Sequence, residues 1–538
     1  MMPGGRPDRG EGISADLLGE PLPSCAEMRA WDERTIAAGT PGIELMERAG
    51  RGVVEVLRRR WSGELRDRRP VVVLVGPGNN GGDGLVIARL LREHGTNVKV
   101  VGATSDRYSP DFLTNLARLV ERDVTIAWFG SGGPPLAGTP LESAGLADIL
   151  TGSALVVDAL LGTGQTRPPS GAIGAIVRVL GELPSSPPVV AVDIPTGIDG
   201  DTGVAHPGAV RADVTIAIGN TKRGLVQYPA RELSGAIESI DIGLIAAPRP
   251  AFHRLSAAAH HLPARPQDCH KGHFGHVFII GGSAAMPGAA ALAARAALRT
   301  GAGWVTRTAL AGAPTFETAE IMLVPLPPRP SGALEGGDLV ALRSAIERAT
   351  AVLIGPGLGL DTATGPLVFA VLELCRARGL PVVIDGDALT FLAHAGTEVD
   401  LSGCVLTPHP GEMARLVKGT TREVQCDRFG TAQRVADRCG AVVVLKGAGT
   451  VVTTRGGGVV CTRGTPYLAT PGSGDVLAGI ITALLAQGIA PADGAARGVA
   501  VHAVAGERAH RRTGGTIVAS DITECIPAVI GSPDPEAR

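Results

Sequence analysis

Lysine is scarce in this chain: only Lys99, Lys222, Lys271, Lys418 and Lys446 stand among 50 basic residues. A chain that otherwise uses arginine can keep lysine where a compact point charge is needed. Net charge is also lacking. A formal charge of −2 over 538 residues gives no electrostatic reason to expect binding to nucleic acid or to a membrane. Paired cysteines are missing. Eight are scattered along the chain with no C-x-x-C, so neither a disulfide framework nor a zinc site is indicated. No apolar stretch is long enough and glycine-free enough to span a bilayer. The first residues have no apolar h-region and so do not form a secretory signal. Residues 1–25 read as a flexible leader, and a reducing, cytoplasmic setting is expected.

Glycine is abundant, with 75 Gly and 40 Pro in a chain that is 44 % hydrophobic. Many short loops between strands and helices account for that composition. The length exceeds what one core usually serves, so two domains of roughly 250 to 300 residues are expected. Two amphipathic helices, 26–38 and 44–61, are followed by apolar runs at 71–75, 98–102, 124–128, 154–158, 189–193 and 214–218. Helical segments separate most of these runs, which predicts a doubly wound α/β domain with a parallel sheet. Residues 235–242 read as its closing edge strand, and 246–250 as a linker. A second α/β cycle begins at 276–280, with strands expected at 352–355, 382–385, 404–407 and 442–446. A polar hairpin is expected over 450–461 and alanine-rich helices close the chain.

The chemistry sits in glycine loops at strand ends. In the first half, Gly76-Pro77-Gly78-Asn79-Asn80-Gly81-Gly82-Asp83-Gly84 joins the run 71–75 to a helix expected from Leu85. Strand, glycine loop, helix is the layout of a phosphate or nucleotide site. Asp158 ends another strand, before Gly162-Thr163-Gly164-Gln165-Thr166-Arg167-Pro168, and Asp193 ends the next, before Ile194-Pro195-Thr196-Gly197. The carboxyl ends of neighbouring parallel strands converge on one crevice, so these loops should face one ligand. Oxygens from Asn80, Asp158 and Thr196 would suit a hard cation. Helix or loop capping is the plainer role open to each aspartate.

In the second half, loops again follow strands: Gly281-Gly282-Ser283 with Gly288-Ala289-Ala290, Gly355–Gly359, Thr407–Glu412, and Lys446-Gly447-Ala448-Gly449-Thr450. His409 stands rigidly between two prolines. Lys446 is either an exposed hairpin lysine or a phosphate partner. Thr470-Pro471-Gly472-Ser473-Gly474-Asp475 delivers one carboxylate at a helix start, where amides and the helix dipole favour an anion. Such a carboxylate can take the proton of a hydroxyl about to meet phosphate, or simply cap the helix.

Residues 26–245 resemble the YjeF N-terminal family of NAD(P)HX epimerases. The resemblance rests on Glu27–Asp32, Leu45–Gly50, Asn79–Gly84 and Val192–Gly197. It implies hydrated nicotinamide nucleotide at Asn79–Asp83, Gly162–Pro168 and Asp193, and potassium at Asn80, Asp158 and Thr196. The family more often carries Ser at the position of Thr196. Asp193 is the candidate for proton transfer. Residues 265–530 resemble the ADP-dependent NAD(P)HX dehydratases of the ribokinase-like superfamily, through Lys271-Gly272 and the second-half loops named above. That resemblance implies nucleotide contacts at Lys446–Thr450 and Gly474, and hydrate contacts at Ala289, Gly359, His409 and Asp475. The register within Ala289–Ala291 and Gly357–Gly359 stays open by one or two positions.

The two resemblances imply an epimerase domain over 26–246 fused to a dehydratase domain over 258–532. The first would interconvert R and S hydrates of NADH or NADPH. The second would dehydrate the S form with ADP, giving AMP and phosphate, with Asp475 as base and magnesium accompanying the nucleotide. A homo-oligomer is expected. The alternative is a non-catalytic binding module fused to an ATP-dependent small-molecule kinase. The domains are expected to separate near Ala247–Ala257 into two folded pieces.

Overall fold

The computed structural model describes residues 12–122, 124, 126–131, 138–316, 318–395 and 399–531. Two compact units emerge: Pro21–Pro250, and Ala251 onward together with the chain up to Glu20.

In the first unit, eight strands among the described residues form one sheet, and every neighbouring pair in it is parallel. Val71–Val75 lies at the centre, between Val98–Ala103 and Leu155–Ala159. Val189–Val192 and Val214–Ile218 follow, and Ala236–Ile240 closes one edge. Val71–Val75 is buried on both faces, which explains why it is uniformly apolar rather than alternating. Helices Cys25–Ala37 and Gly42–Arg60 fall close to their expected ranges.

The Asn79–Gly84 glycines differ from expectation. The helix starts at Asn79, not Leu85, and runs to Glu93. Its glycines are close-packing positions as much as loop residues. A Cβ on Gly81 would lie 1.8 Å from the Gly76 carbonyl oxygen, and one on Gly84 2.7 Å from Ala159 Cβ. Asp83 therefore sits in the helix, buried, rather than on an open loop.

The second unit is an eleven-stranded sheet among the described residues, with parallel central pairs and an antiparallel hairpin, Thr450–Thr454 and Gly457–Cys461. Ala351–Ile354, Val382–Ile384, Cys404–Leu406 and Val442–Leu445 lie side by side at its centre. The apolar helix Ser473–Ala486 packs on the sheet with Pro287–Arg299 and Pro491–Thr513. Strands Phe252–Leu255, Trp304–Leu310 and Ile321–Leu326 were not expected from the sequence.

Residues 1–11 of the expected leader lie outside the described residues. Residues 12–21 correct that expectation, because they are structured. Leu17 is buried, and Leu18–Pro21 adds an edge strand beside Phe252–Leu255. Ser14 Oγ donates to Asp493 Oδ2 at 2.5 Å and Arg497 pairs with Asp16 at 2.6 Å. The first unit is thus an insertion between this strand and the rest of the second unit, and a single cut near Ala247–Ala257 would strip the strand away. Leu17→Ala should cost about 2–5 kcal/mol, the usual effect of truncating a buried leucine. Urea unfolding should show that loss in the transition of the second unit and leave the first unit's transition in place.

Candidate functional sites

In the first unit, the crevice forms where the strands Val71–Val75, Leu155–Ala159 and Val189–Val192 end side by side. Asp158 is fully buried there. Its carboxylate accepts Thr196 N–H at 2.8 Å, the Thr196 hydroxyl at 2.8 Å and Leu160 N–H at 3.2 Å. Burial still pushes its pKa up against those hydrogen bonds. The Thr196 hydroxyl also accepts Leu161 N–H at 3.2 Å, so one side chain ties two loops together. Beside them, Asn80 Oδ1 and Nδ2 are buried with no protein partner. Unpartnered buried polar atoms are costly, and here they mark a place for a ligand.

Asp193 sits at φ 69°, a left-handed conformation uncommon for a residue with a side chain. Its Oδ1 accepts Lys222 Nζ and, at 3.3 Å, Ile218 N–H. Lys222 Nζ also donates to the Ile218 carbonyl at 2.7 Å, and the lysine is 1 % exposed. The other oxygen faces Gly162: a Cβ there would lie 3.1 Å from Asp193 Oδ2 and 3.2 Å from Asn80 Cγ. Asn80, Gly162 and Asp193 therefore converge, and a side chain at Gly162 would press on both neighbours. Burial raises Asp32 to about 6, with Lys222 opposing and Asp193 adding to the shift. Burial also raises Asp83 well above the usual carboxylate range, with the charges of Asp193 and Asp32 adding to the shift.

The other expected residues of this site divide. Gln165 is buried and spends its amide structurally, donating to the Leu161 carbonyl at 3.3 Å and accepting Gly197 N–H at 2.5 Å. Asn79, Gly164, Thr166, Arg167 and Pro168 are exposed, and Thr163 is half-buried. Lys222 was not chosen as a site residue, although its rarity as a lysine was the available signal.

In the second unit, Lys446 organises the crevice. Its Nζ lies 2.8 Å from Asp385 Oδ1 and 3.7 Å from Glu412 Oε2, and a Cβ on Gly474 would be 3.3 Å from it. The lysine is therefore an internal cation, not an exposed hairpin residue. Burial lowers its pKa, but Asp385 and Glu412 more than offset this and the net shift is upward. Asp385 also accepts the Thr407 hydroxyl at 2.7 Å. Asp385 was missed as a site residue, although it ends an apolar strand in the same way as Asp158 and Asp193.

Gly472, at φ 82°, caps the helix Ser473–Ala486, and Asp475 falls in its first turn. Burial raises Asp475 to about 7, assisted by the charge of Asp385 and opposed by Lys446. His502 Nε2 lies 3.0 Å from the Ser473 carbonyl, and burial pulls its pKa down to about 4, leaving it neutral.

His409 caps the helix Pro410–Leu416. Its Nδ1 accepts Gly411 N–H at 3.0 Å and Glu412 N–H at 3.3 Å. Those bonds put the ring proton on Nε2, which lies 3.5 Å from Glu412 Oε1 on a half-exposed side chain. Burial, then the charge of Lys446, lowers its pKa, so the neutral ring is the dominant form at pH 7. Glu412 accepts His409 N–H at 2.7 Å, and burial raises it to about 6. Ala289 and the glycine loop meet: a Cβ on Gly357 would lie 3.0 Å from Ala289 Cβ. Gly359 N–H donates to Asp387 Oδ2 at 2.8 Å. Gly447 and Ala448 are exposed, Gly449 is buried, and the Thr450 hydroxyl donates to the Gly447 carbonyl at 2.8 Å.

Among the described residues, no helix is long and apolar enough to cross a membrane. A family model described as NAD(P)H-hydrate dehydratase matches residues 277–528, and one described as YjeF-related protein N-terminus matches 42–224. The bifunctional NAD(P)H-hydrate repair enzyme Nnr of Moorella thermoacetica is 38 % identical over 513 residues, 93 % of this chain and 94 % of that protein. Its namesake in Escherichia coli is 35 % identical over 532 residues, 97 % of this chain and 92 % of that protein. Among solved structures, a ribokinase-like superfamily protein from Enterococcus faecalis is 27 % identical and covers 52 % of this chain and 95 % of its own, with a TM-score of 0.45.

Proposed function

This chain belongs to the family of bifunctional NAD(P)H-hydrate repair enzymes, and from that premise we propose which of its residues carry each half of the repair. The unit Pro21–Pro250 is the NAD(P)H-hydrate epimerase, and the unit that includes Ala251–Arg538 is the ADP-dependent dehydratase. Together they return hydrated NADH or NADPH to the intact cofactor. The observation that carries the assignment of roles is the Lys446–Asp385–Glu412 cluster beside Gly474 and Asp475 at a helix N-terminus.

Hydroxide is a poor leaving group, and phosphorylation makes it a good one. Asp475, near 7, is poised to take the C6 hydroxyl proton as that oxygen attacks the β-phosphate of ADP and AMP departs. The Gly472–Gly474 turn and the helix dipole hold the phosphoryl group, and Lys446 balances its charge. The Gly447 and Ala448 amides face the nucleotide phosphates. Ala289, Gly359 and His409 line the hydrate, with His409 Nε2–H as a donor. Phosphate then leaves C6, and loss of the C5 proton restores the ring double bond. Magnesium would arrive on the ADP phosphates. Among the described residues no group of three His, Cys, Asp or Glu could hold a metal ion, so no step is assigned to it.

In the epimerase crevice, the Asn79–Asp83 turn and the Gly162–Pro168 loop would present Asn80 and Gly162, with Asp193, to the hydrate, while buried Asp83 and Gln165 hold those two segments from behind. Asp193 Oδ2 is the oxygen placed to exchange a proton with it. Potassium fits Asn80, Asp158 and Thr196, because the orphaned Asn80 amide oxygen and the buried Asp158 carboxylate supply hard oxygens and uncompensated charge. When bound, it would neutralise Asp158 and hold the two loops in register. Asp158→Ala should therefore slow epimerisation and remove its response to potassium, while dehydration of pure S hydrate stays unchanged. Equal epimerisation with and without potassium in the wild type would overturn the ion site. We also expect a homo-oligomer, which light scattering reads directly. Eight scattered cysteines without a C-x-x-C pair fit a reducing, cytoplasmic setting.

The test is to mix the protein with both hydrate epimers and ADP and to follow NADH absorbance. Complete recovery is expected. A stall with the R form left over would overturn the epimerase assignment. Recovery that needs ATP and leaves a phosphorylated product would favour a kinase.

A further inference from the structure

Arg428 opens the helix Arg428–Cys439 and is 3 % exposed. Both facts are unfavourable taken alone. A cation at a helix N-terminus opposes the macrodipole, and a buried cation needs compensation. Among the described residues no carboxylate is within ion-pairing distance of it, and its Nε is buried without a partner. Burial lowers its pKa only to about 10, so the guanidinium stays charged at neutral pH.

Its hydrogen bonds go to the loop that follows Val442–Leu445. Nη2 donates to the carbonyls of Leu445 at 3.0 Å, Lys446 at 3.2 Å and Gly449 at 3.4 Å. Nη1 donates to Gln425 Oε1 at 2.7 Å. In a trans peptide the carbonyl and the next N–H point in opposite directions. Holding the Lys446 carbonyl inward therefore turns the Gly447 N–H outward. The N–H groups of Gly447 and Ala448 have no protein acceptor among the described residues, and both residues are exposed. A Cβ on Gly447 would lie 3.2 Å from Arg428 Nη1, so the loop backbone rests directly on the guanidinium.

We propose that Arg428 is the positioning residue of the nucleotide loop. It pins three carbonyls behind Lys446–Thr450, so that the loop presents its free amides and a buried, unneutralised positive charge to the phosphates of a nucleoside diphosphate. This rests on the dehydratase reading above and adds a residue that never touches the nucleotide. Arg428 is suited to the role because Nη2 serves the loop carbonyls while Nη1 is tied to Gln425 Oε1, so the rigid fork is anchored at one nitrogen and holds the loop with the other, which the single nitrogen of a lysine cannot do.

The test uses the full-length protein with Arg428→Lys and Arg428→Met. ADP binding is measured by calorimetry without hydrate, and the KM for ADP and for S hydrate by NADH absorbance. Losing charge-assisted hydrogen bonds predicts a rise of about 10- to 100-fold in Kd and KM for ADP. The KM for S hydrate, kcat at saturating ADP and epimerisation should stay close to wild type. Hydrogen exchange should quicken at the Lys446–Thr450 amides before the rest of the domain. If the Met variant does not fold, the Lys variant, which keeps the buried charge, carries the test. Folded variants with wild-type ADP constants would overturn the proposal, as would parallel rises in both KM values with domain-wide exchange. A wild-type protein that binds no ADP would overturn the dehydratase reading, and this proposal with it.

Discussion

Asp475→Asn should lower ADP-dependent dehydration by about 10²–10⁴-fold, the usual effect of removing a positioned base, and leave epimerisation intact. The amide keeps the shape and the helix-start position but cannot accept the C6 hydroxyl proton. Because burial and the Asp385 charge raise the carboxyl to about 7, the catalytic carboxylate is populated only above that pH. Wild-type kcat/KM for dehydration should therefore rise as pH increases through about 7 and then level off. Its epimerisation should lack that limb. Wild-type-like dehydration by the Asn variant would remove Asp475 from the mechanism. A wild-type profile flat from pH 6 to 8 would show that its titration does not limit the reaction.

Lys222→Met should abolish epimerisation and destabilise the first unit by about 3–5 kcal/mol, the typical loss when one partner of a buried ion pair is removed. The pair is well enclosed: the side chains of Lys222 and Asp193 are 1 % and 9 % exposed. Without the ammonium, Asp193 keeps a buried charge beside the raised carboxyls of Asp83 and Asp32. The double variant Lys222→Met with Asp193→Asn should recover much of the stability and none of the activity. Urea unfolding and an epimer-resolved assay read the two effects separately. Full epimerisation by the Met variant would reduce the lysine to a packing role. Dehydration of pure S hydrate should be untouched wherever the second unit stays folded.

The sequence was most legible where a short apolar run met a glycine loop. Val71–Val75, Val214–Ile218 and the hairpin 450–461 were readable because burial on both faces or a turn signal leaves few other conformations. Less legible were Phe252–Leu255 and Leu18–Pro21, which are only partly buried and gain strand character by pairing with each other at a sheet edge. Pairing between segments more than two hundred residues apart leaves no local signature. The glycines of Asn79–Gly84 stood out, but half their reason did not. A requirement for no side chain looks the same whether a phosphate or the Gly76 carbonyl occupies the space.

The sequence by itself determined that there are two α/β cycles, the order of the central strands and glycine loops, and the residue types at those strand ends. Local patterning is enough for these, since apolar runs must be buried and glycine turns must bend. Only the tertiary structure decided which charges meet. Asp193 with Lys222, Lys446 with Asp385, and Arg428 under the Lys446–Thr450 loop are pairings across 18 to 61 residues of chain. A charge is committed to a partner only when folding removes water from around it, and which groups lose water together is a property of the packed sheet and helices rather than of any segment.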